Sequence, residues 1–389
     1  MICRKLEESL IIFEKRSGMR AVFAGNEMQK LLYAIERGTK TEFIKRLLEK
    51  EILPDFSEKT RNLILEAAKS QNNKTKELEA IHIELTTQCP FSCKQCYQNM
   101  QNEMLSLHQV KALLREAEQL KVFQIAIGGG EPMIYPYLKE VLTMLQQTEM
   151  AVTITSSGYG MTKEKLKELK SYGVNHIQIS LNGVDKQMQE QSRQGYEEAV
   201  LALKNLSESD ISFGINFVAR KDNIEQLEKI ILFAQKLHAD NVNILRYKPS
   251  KHERYEEIAL NEEEHKWLAN KIISLKQEGV QTKIKIDSAY AMLYWYIYQG
   301  KTMNQYYGCQ AGRKFIAITA KGTFKVCSHY KIEEEGNSIE NWLNTSETVK
   351  KLEKKTTRIA QCSTCIYQKK CCSCSVIPDS KCIAYKRMK

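Results

Sequence analysis

The sequence has no long hydrophobic run and no recognisable export signal. Its N-terminal stretch, MICRKLEESLIIFEKRSG, has a short apolar segment between charges and no small-residue cleavage site. No apolar stretch approaches the roughly 18 residues that a membrane-spanning helix needs. Internal repeats and low-complexity tracts are also absent. We therefore expect a cytoplasmic protein without a membrane partner.

Cysteine is absent from the long middle of the chain, between residues 97 and 308. The 12 cysteines fall instead into one cluster at 89–96 and another at 309–382, with Cys3 alone. Disulfide frameworks stabilise small secreted domains, whereas two tight clusters in a chain without an export signal are typical of metal ligation. The sequence therefore predicts metal binding rather than disulfides.

No block of like charge stands out, although the net charge is +11. A basic chain suits acidic partners, and nucleic acid has to be considered. The lysines are interleaved with acidic residues, as in Lys163–Lys170, so a nucleic-acid partner is not expected. No carboxylate pair or Ser–His constellation is evident, which suits chemistry carried by a cofactor.

Strand-like and helix-like runs alternate between residues 81 and 245. The predicted strands are Ile81–Thr86, Phe123–Ile127, Ala151–Thr155, His176–Leu181, Ser212–Ala219 and Asn241–Leu245. The predicted helices are Ser106–Leu120, Tyr137–Gln147, Thr162–Ser171, Tyr196–Ser207 and Ile224–Leu237. Such alternation implies parallel strands with crossover helices. It allows an open doubly wound sheet or a full or partial barrel, and either places the active site at the strands' C-terminal ends.

The flanking segments differ in character. Residues 1–78 read as two short strands joined at Ser17-Gly18, then helices and a linker, which suggests a small winged-helix-like module. Residues 79–250 form the alternating core. Residues 251–308 form a bridging region with an aromatic helix, and 309–389 form a cysteine-rich unit with a hairpin turning at Lys321-Gly322.

The loop Cys89-x3-Cys93-x2-Cys96 follows the first core strand, and Tyr97 comes directly after it. Three thiolates can hold three irons of a four-iron cluster and leave the fourth iron open. A structural zinc site needs a fourth ligand nearby, and His108 is too distant in sequence to be compelling. The loop resembles that of the radical S-adenosylmethionine (SAM) enzymes. The resemblance implies a 4Fe-4S cluster that binds SAM and cleaves it to a 5′-deoxyadenosyl radical, which abstracts a hydrogen atom.

The resemblance also implies which residues contact SAM. Backbone atoms of the Gly-Gly-Glu segment would hold its amino group, a serine and an arginine its carboxylate and ribose, a second serine its ribose, and a leucine would flank the adenine. These positions are Tyr97, Gly129, Gly130, Glu131, Ser156, Ser180, Arg193 and Leu245. A tight turn at the glycines, a plain loop at Ser156 and an ordinary surface position for Arg193 remain alternatives. Asn182 stands where the family commonly has aspartate.

The C-terminal cysteines resemble the SPASM extension of radical SAM enzymes, which holds two auxiliary clusters. The resemblance implies three 4Fe-4S clusters in total. The first auxiliary cluster would be bound by Cys309, Cys327 and Cys374, and the second by Cys362, Cys365, Cys371 and Cys382. The spacing between Cys371 and Cys374 departs from the family pattern, and Cys372 is extra. Cys372 could replace Cys374, add a fourth ligand to the first auxiliary cluster, or bind no metal. A zinc ribbon in 362–374 is the alternative.

These features predict an α/β protein: a partial (β/α)6 TIM-like barrel with a winged-helix-like N-terminal domain and a C-terminal SPASM domain. The resemblance extends to peptide maturases such as the streptide-type cyclases. It implies a radical SAM oxidoreductase that installs an intramolecular carbon–carbon, thioether or ether cross-link in a ribosomally made precursor peptide with a leader. An electron donor such as flavodoxin or ferredoxin is also implied. The alternatives are a sulfatase-type maturase that oxidises Cys or Ser to formylglycine, and an RNA-binding scaffold with iron–sulfur or zinc.

Overall fold

The fold was analysed in a computed structural model, which describes residues 1–70, 77–98, 102–250, 252–288, 290–299, 308–353, 374 and 376–377. Most of the second cysteine cluster, including Cys362, Cys365, Cys371, Cys372 and Cys382, therefore lies outside the described residues. In the part that is described, no helix has the length and apolar character needed to cross a membrane.

The centre of the molecule is one mostly parallel sheet. Its core strands are β4 (Ala80–Thr86), β5 (Gln124–Gly129), β6 (Ala151–Ser156), β7 (His176–Ser180), β8 (Ser212–Ala219) and β9 (Asn241–Arg246). They lie side by side in sequence order, each parallel to the next. A doubly wound sheet reverses its strand order at a switch point, whereas a barrel wall does not. The predicted partial (β/α)6 barrel is confirmed.

Three further strands extend this sheet at its two ends. They are β10 (Lys283–Ile286), β11 (Phe315–Ile318) and β12 (Phe324–Lys325). β10 runs parallel to β9, and β11 runs parallel to β4 and pairs with β12 in the predicted hairpin. Gly322 has φ of +85°, a left-handed conformation that glycine adopts without strain in the turn. The C-terminal hairpin therefore lies directly beside the strand that leads to Cys89.

Helices alternate with the core strands and continue after them. They are α4 (Leu107–Gln119), α5 (Leu138–Gln146), α6 (Lys163–Ser171), α7 (Lys186–Glu190), α8 (Tyr196–Ser207) and α9 (Leu227–Lys236), followed by α10 (Tyr255–Ile258), α11 (Glu262–Gln277), α12 (Ala291–Tyr298), α13 (Ile339–Thr345) and α14 (Glu347–Glu353). Ser106 caps α4 through a capping box with Gln109, and the side chain of Thr162 caps α6. Ile81 and Ile83 of β4 pack into the core beneath these helices.

The N-terminal segment folds into a three-stranded antiparallel sheet and three helices. The elements are β1 (Ile2–Leu6), β2 (Ser9–Phe13), β3 (Arg20–Ala24), α1 (Gly25–Arg37), α2 (Glu42–Glu49) and α3 (Glu58–Lys69). β2 lies in the middle, so β1 and β3 are the edges. Leu10, Leu31, Ile35 and Ile44 form part of a separate apolar core. The sequence prediction missed β1, and the predicted boundaries at 78, 250 and 308 stay predictions.

This N-terminal segment docks at the N-terminal ends of the core strands. Arg4 donates to the carbonyl oxygen of Leu78 at 2.7 Å, just before β4. Lys15 donates to the carbonyl oxygen of Thr148 at 2.6 Å, just before β6. Asn175, just before β7, donates its amide to the carbonyl oxygen of Lys15 at 3.0 Å. The segment is therefore attached to the end of the barrel opposite the cysteine loop.

Candidate active site

The cysteine loop after β4 brings three free thiols to the C-terminal end of the sheet. Cys89, Cys93 and Cys96 are all half-buried and line one cavity of about 280 Å³. Burial raises the pKa of the Cys89 thiol to about 11 and also raises that of Cys96. Thiolates are the form that binds metal, so loading this loop releases protons.

The geometry of these thiols fits a cluster better than a single ion. Among the residues that the structure describes, no group of three His, Cys, Asp or Glu side chains is placed to hold a metal ion. A tetrahedral zinc site brings its ligands to one point, whereas each thiolate of a cubane binds a different iron. Three thiols surround a common cavity, and no fourth ligand accompanies them among the described residues, which suits a cubane cluster.

The glycines after β5 pack against the backbone that leads into this loop. A Cβ atom on Gly130 would lie 2.0 Å from the carbonyl oxygen of Gln88, and one on Gly129 would lie 2.4 Å from that of Thr86. Gly130 N–H donates to Thr86 O at 2.7 Å, and Glu131 N–H donates to Gln88 O at 2.8 Å. The two glycines are thus required for close contact between the segment after β5 and the backbone just before Cys89. The sequence alone did not predict this contact.

Glu131 is fully buried and does not line the cavity. Its carboxylate accepts hydrogen bonds from Ser156 Oγ at 2.9 Å, from Ser157 N–H at 2.9 Å and from Met133 N–H at 3.2 Å. Burial raises the pKa of Glu131, and the bonds from Ser157 and Met133 act in the opposite direction. The side chain of Glu131 therefore links the ends of β5 and β6. The hydroxyl proton of Ser156 is used in this hydrogen bond to Glu131.

The segment after β7 fastens the cysteine loop from the opposite side. The amide nitrogen of Asn182 donates to Gln95 Oε1 and to Ser192 Oγ, both at 2.8 Å. Gln194 accepts from Ser92 N–H at 2.8 Å and donates its own N–H to Cys93 Sγ at 3.4 Å. An aspartate at 182 could not donate to these oxygens. The asparagine that departs from the family pattern thus has a structural role here.

Seven of the eight residues predicted to contact SAM line the cavity that holds the three cysteines. They are Tyr97, Gly129, Gly130, Ser156, Ser180, Arg193 and Leu245, with Glu131 behind them. They come from the ends of β4 to β7 and β9. The structure therefore brings together residues that are up to about 150 positions apart in sequence, as expected when parallel strands end at one edge.

The wall of the cavity also includes groups that the sequence did not single out. His329 lies against Tyr97, with ring centroids 4.3 Å apart. Lys248 forms an ion pair with Asp287 at 2.8 Å. Burial lowers the pKa of Lys248, while the charges of Asp287, Cys374 and Cys327 raise it, and the net shift is upward. His82 also lines this cavity, although the sequence gave it no role.

The three described cysteines of the second cluster also converge. Cys309, Cys327 and Cys374 line a cavity of about 240 Å³, which shares His82, Lys248 and other wall residues with the first cavity. Burial raises the pKa of Cys309 to about 12 and also raises that of Cys327. The hairpin that turns at Gly322 brings Cys327 to the same cavity as Cys309.

A buried ionic network beside the first cavity was missed entirely. Arg220 is 1% exposed and donates to both Asp222 and Glu253 at 2.8–2.9 Å. Its guanidinium lies 5.5 Å from the ring centre of Tyr247, which lines the cavity. Burial lowers the pKa of Arg220, while the two carboxylates raise it and prevail. The only indication of this network in the sequence was that Arg220 directly follows the apolar strand Ser212–Ala219.

Comparison with known families and structures agrees with this geometry. Residues 83–234 match the family described as the radical SAM superfamily. Residues 83–234 therefore form a radical SAM domain. The match covers β4 to α9, which includes the cysteine loop and all of the predicted SAM contacts except Leu245. It decides against the RNA-binding scaffold as the class of protein.

Solved structures share the fold of this chain well beyond the matched residues. Streptococcus suis SuiB bound to S-adenosylmethionine is 16% identical, with 98% of each chain covered and a TM-score of 0.74. SuiB bound to its precursor peptide SuiA is 17% identical, with the same coverage and TM-score. anSMEcpe with bound AdoMet and a peptide is 15% identical over 75% of this chain and 87% of its own, with a TM-score of 0.59. The fold likeness to SuiB thus includes the N-terminal segment.

Proposed function

We propose that this enzyme is a peptide maturase that installs an intramolecular cross-link in a ribosomally made precursor peptide. The observation that carries the proposal is the combination of two features in one chain. The three-cysteine loop and the candidate SAM contacts share one cavity, and a separate N-terminal module offers a strand edge for a peptide. SuiB, which has this fold over its whole length, was solved with a precursor peptide.

Cys89, Cys93 and Cys96 would hold the 4Fe-4S cluster that supplies the electron for SAM cleavage. Arg193 can offer two parallel donors to the SAM carboxylate. The N–H groups of Gly130 and Glu131 already donate hydrogen bonds to the carbonyl oxygens of Thr86 and Gln88. The backbone of this segment can therefore bind the SAM amino group only through its carbonyl oxygens. An amino group is a donor, so that assignment is chemically consistent.

The second group of cysteines would hold the auxiliary clusters. Cys309, Cys327 and Cys374 surround a common cavity and are the proposed ligands of the first one. The proposed ligands of the second, Cys362, Cys365, Cys371 and Cys382, lie outside the described residues. Forming a cross-link between two C–H or X–H groups removes two hydrogen atoms, and SAM accepts only one. The second hydrogen would leave as a proton, which is released to solvent, and an electron, which an auxiliary cluster would accept.

Leader recognition is assigned to the open edge of β3. Among the described residues β3 pairs only with β2, and Val22 on this strand is 43% exposed. A peptide can add a strand to such an edge through main-chain hydrogen bonds. This module is also the feature that favours a leader-dependent maturase over the sulfatase type, because oxidation of a folded substrate requires no leader.

The test uses anaerobically reconstituted full-length enzyme with SAM, a reductant and short peptides encoded beside its gene. We expect formation of 5′-deoxyadenosine and a peptide product that has lost two hydrogen atoms without a new aldehyde. Fragmentation by tandem mass spectrometry should stop between the linked residues. An aldehyde product would establish the sulfatase-type alternative, and a lack of 5′-deoxyadenosine with every peptide would overturn the proposal.

A further inference from the structure

The second cysteine cavity has three thiols among the described residues that line it, those of Cys309, Cys327 and Cys374. A 4Fe-4S cluster is held by four protein ligands when every iron is bound to the chain. The three thiols account for three irons. The fourth iron must therefore take another side chain or stay open to a small molecule.

Three further side chains that are able to bind iron line this cavity, and their surroundings differ. They are His82, Asp287 and His329. Nδ1 of His82 is hydrogen-bonded to Ser328 Oγ, and its Nε2 lies only 2.3 Å from the point where Gly128 would carry a Cβ atom. Both ring nitrogens of His82 are thus in contact with the chain. His82 and His329 also line the proposed SAM cavity, whereas Asp287 does not.

Asp287 directly follows β10 and is held in place by its neighbours. Its N–H donates to Ile244 O of β9 at 2.9 Å. Its Oδ2 accepts from Lys248 Nζ at 2.8 Å and from Arg246 N–H at 3.4 Å. The side chains of Asp287 and Lys248 are 13% and 15% exposed. A carboxylate has about four lone-pair positions, so these two hydrogen bonds do not use up its capacity to bind iron.

The charges at this cavity balance only when a cation is bound. Burial raises the pKa of Cys309 most, and the charges of Cys374, Cys327 and Asp287 raise it further. Asp287 is therefore close enough to act on the thiol electrostatically. Three thiolates and one carboxylate face a single ammonium group, because Lys248 is the only Lys or Arg among the described lining residues. Buried charges without partners are costly, and iron would supply the missing positive charge.

We propose that Asp287 is the fourth ligand of the first auxiliary cluster, which it binds through a carboxylate oxygen while it stays paired with Lys248. The inference rests on the proposed function, since it takes Cys309, Cys327 and Cys374 to hold a cluster. Ligands other than thiolate are known in iron–sulfur centres. A cluster with four protein ligands has no iron open to substrate, so it would accept an electron without binding the peptide.

The experiment uses cyanide, a small anion that binds an open iron, with anaerobically reconstituted full-length enzyme. Saturating SAM is present to occupy the iron left open by Cys89, Cys93 and Cys96. Pulsed EPR of the reduced enzyme detects bound cyanide through the hyperfine coupling of an isotope-labelled carbon. We expect this coupling in Asp287→Ala and not in wild type. An iron that Asp287 occupies most of the time should bind cyanide about tenfold more weakly, or less.

Two variants accompany this comparison. Asp287→Cys replaces the carboxylate with a thiolate and should abolish the cyanide coupling again, since the iron regains a ligand from the chain. His329→Phe is the matched control, because it removes another candidate ligand from the same cavity and keeps a ring against Tyr97. It should resemble wild type. Iron content and circular dichroism of each variant verify cluster loading and folding.

Three results would overturn the proposal. Equal cyanide coupling in wild type and Asp287→Ala would mean that the iron is open in the native enzyme. No coupling in Asp287→Ala at normal iron content would mean that another ligand closes the cluster, and coupling in Cys372→Ser would identify it. If Asp287→Ala loses the cluster, Asp287→Asn decides, because its amide oxygen still accepts from Lys248. Normal iron content in Asp287→Asn would then assign Asp287 to the ion pair alone, whereas recovery only in Asp287→Cys supports ligation.

The failure of this proposal differs from the failure of the proposed function. The measurement needs neither a peptide nor turnover, so the roles of Asp287 and of the peptide are tested separately. Absence of any auxiliary-cluster signal in wild type would refute the cluster itself. Each of the three results above would refute only the assignment of Asp287.

Discussion

Replacing Gly130 with alanine is expected to displace the cysteine loop. The new methyl carbon would lie 2.0 Å from Gln88 O, 2.6 Å from Gln88 C and 2.7 Å from Thr87 O, whereas Cβ atoms essentially never come closer than 3.0 Å. The obstacle is backbone, which cannot rotate away as a side chain can. Relief therefore requires a movement of about 1 Å in the segment directly before Cys89, at a cost of about 1–3 kcal/mol or more.

The consequence for catalysis should exceed the consequence for stability. A misplacement of about 1 Å in a reacting assembly can lower the rate about 100-fold. We therefore expect Gly130→Ala to form 5′-deoxyadenosine about 100-fold more slowly than wild type, measured by chromatography after anaerobic reconstitution. Iron content per chain should be measured in parallel, to separate slow cleavage from incomplete loading.

Gly160→Ala provides the control. Gly160 has φ of +69°, and its nearest neighbour would be Met133 Cβ at 3.8 Å, so the change adds backbone strain without crowding. Such strain costs about 1–2 kcal/mol, similar to the cost expected for Gly130→Ala. The control should lose stability and keep SAM cleavage. If Gly130→Ala cleaves SAM within about threefold of wild type, the close packing of these segments is not what positions the loop.

Three further variants test groups outside the cysteine loop. Glu131→Gln should lower the melting temperature and weaken SAM binding in calorimetry, because a new N–H group would face donors, at about 1–3 kcal/mol. Arg220→Met should destabilise the fold by about 3–5 kcal/mol in chemical denaturation, since it leaves the buried Glu253 unpaired. Burial lowers the pKa of His265 from its usual 6.5 to about 4. Between pH 4 and 6.5 the unfolded chain therefore binds a proton at His265 that the folded chain does not bind. The contribution of His265 to the free energy of unfolding is complete above pH 6.5 and is lost as the pH falls toward 4. His265→Phe, which keeps a ring against Tyr290, should flatten that part of the profile of melting temperature against pH.

Each variant has an outcome that contradicts the reasoning. Unchanged SAM affinity in Glu131→Gln would mean that the carboxylate does not position the strand ends. Arg220→Lys should restore part of the stability lost in Arg220→Met, and no recovery would deny an electrostatic role. An unchanged pH profile in His265→Phe would assign the acid sensitivity to His82 or His176, whose pKa values burial also lowers to about 4.

Local patterns predicted the barrel well and the buried polar groups poorly. β8 and α8 have the predicted bounds, since apolar periodicity and flanking polar residues define both of them. β1 was missed because Arg4 and Lys5 make it look exposed. In the structure Arg4 is 9% exposed and lies 4.6 Å from the ring centre of Phe123. A partner 119 positions away cannot be inferred from the local pattern.

The cysteine spacing predicted that three thiols would share a site, because the ligands lie within eight positions of one another. The surrounding network depends on contacts between distant segments. Asn182 to Gln95 and Arg220 to Glu253 are such pairs. A weaker signal was present at His82 and Glu84, polar residues at alternate positions of an apolar strand. Alternate residues of a strand share one face, so both could have been assigned to the barrel interior.

The attachment of the N-terminal module sets a minimum length for any peptide that binds both at the edge of β3 and in the cavity of Cys89. The module is fastened where β4 and β6 begin, and the cysteines lie where β4 ends. Strands of six or seven residues separate the two levels by about 20 Å. An extended peptide needs about six residues to cover that distance, and more if it passes around the outside. The barrel would therefore set a minimum number of residues between the leader segment bound at β3 and the residues that are modified.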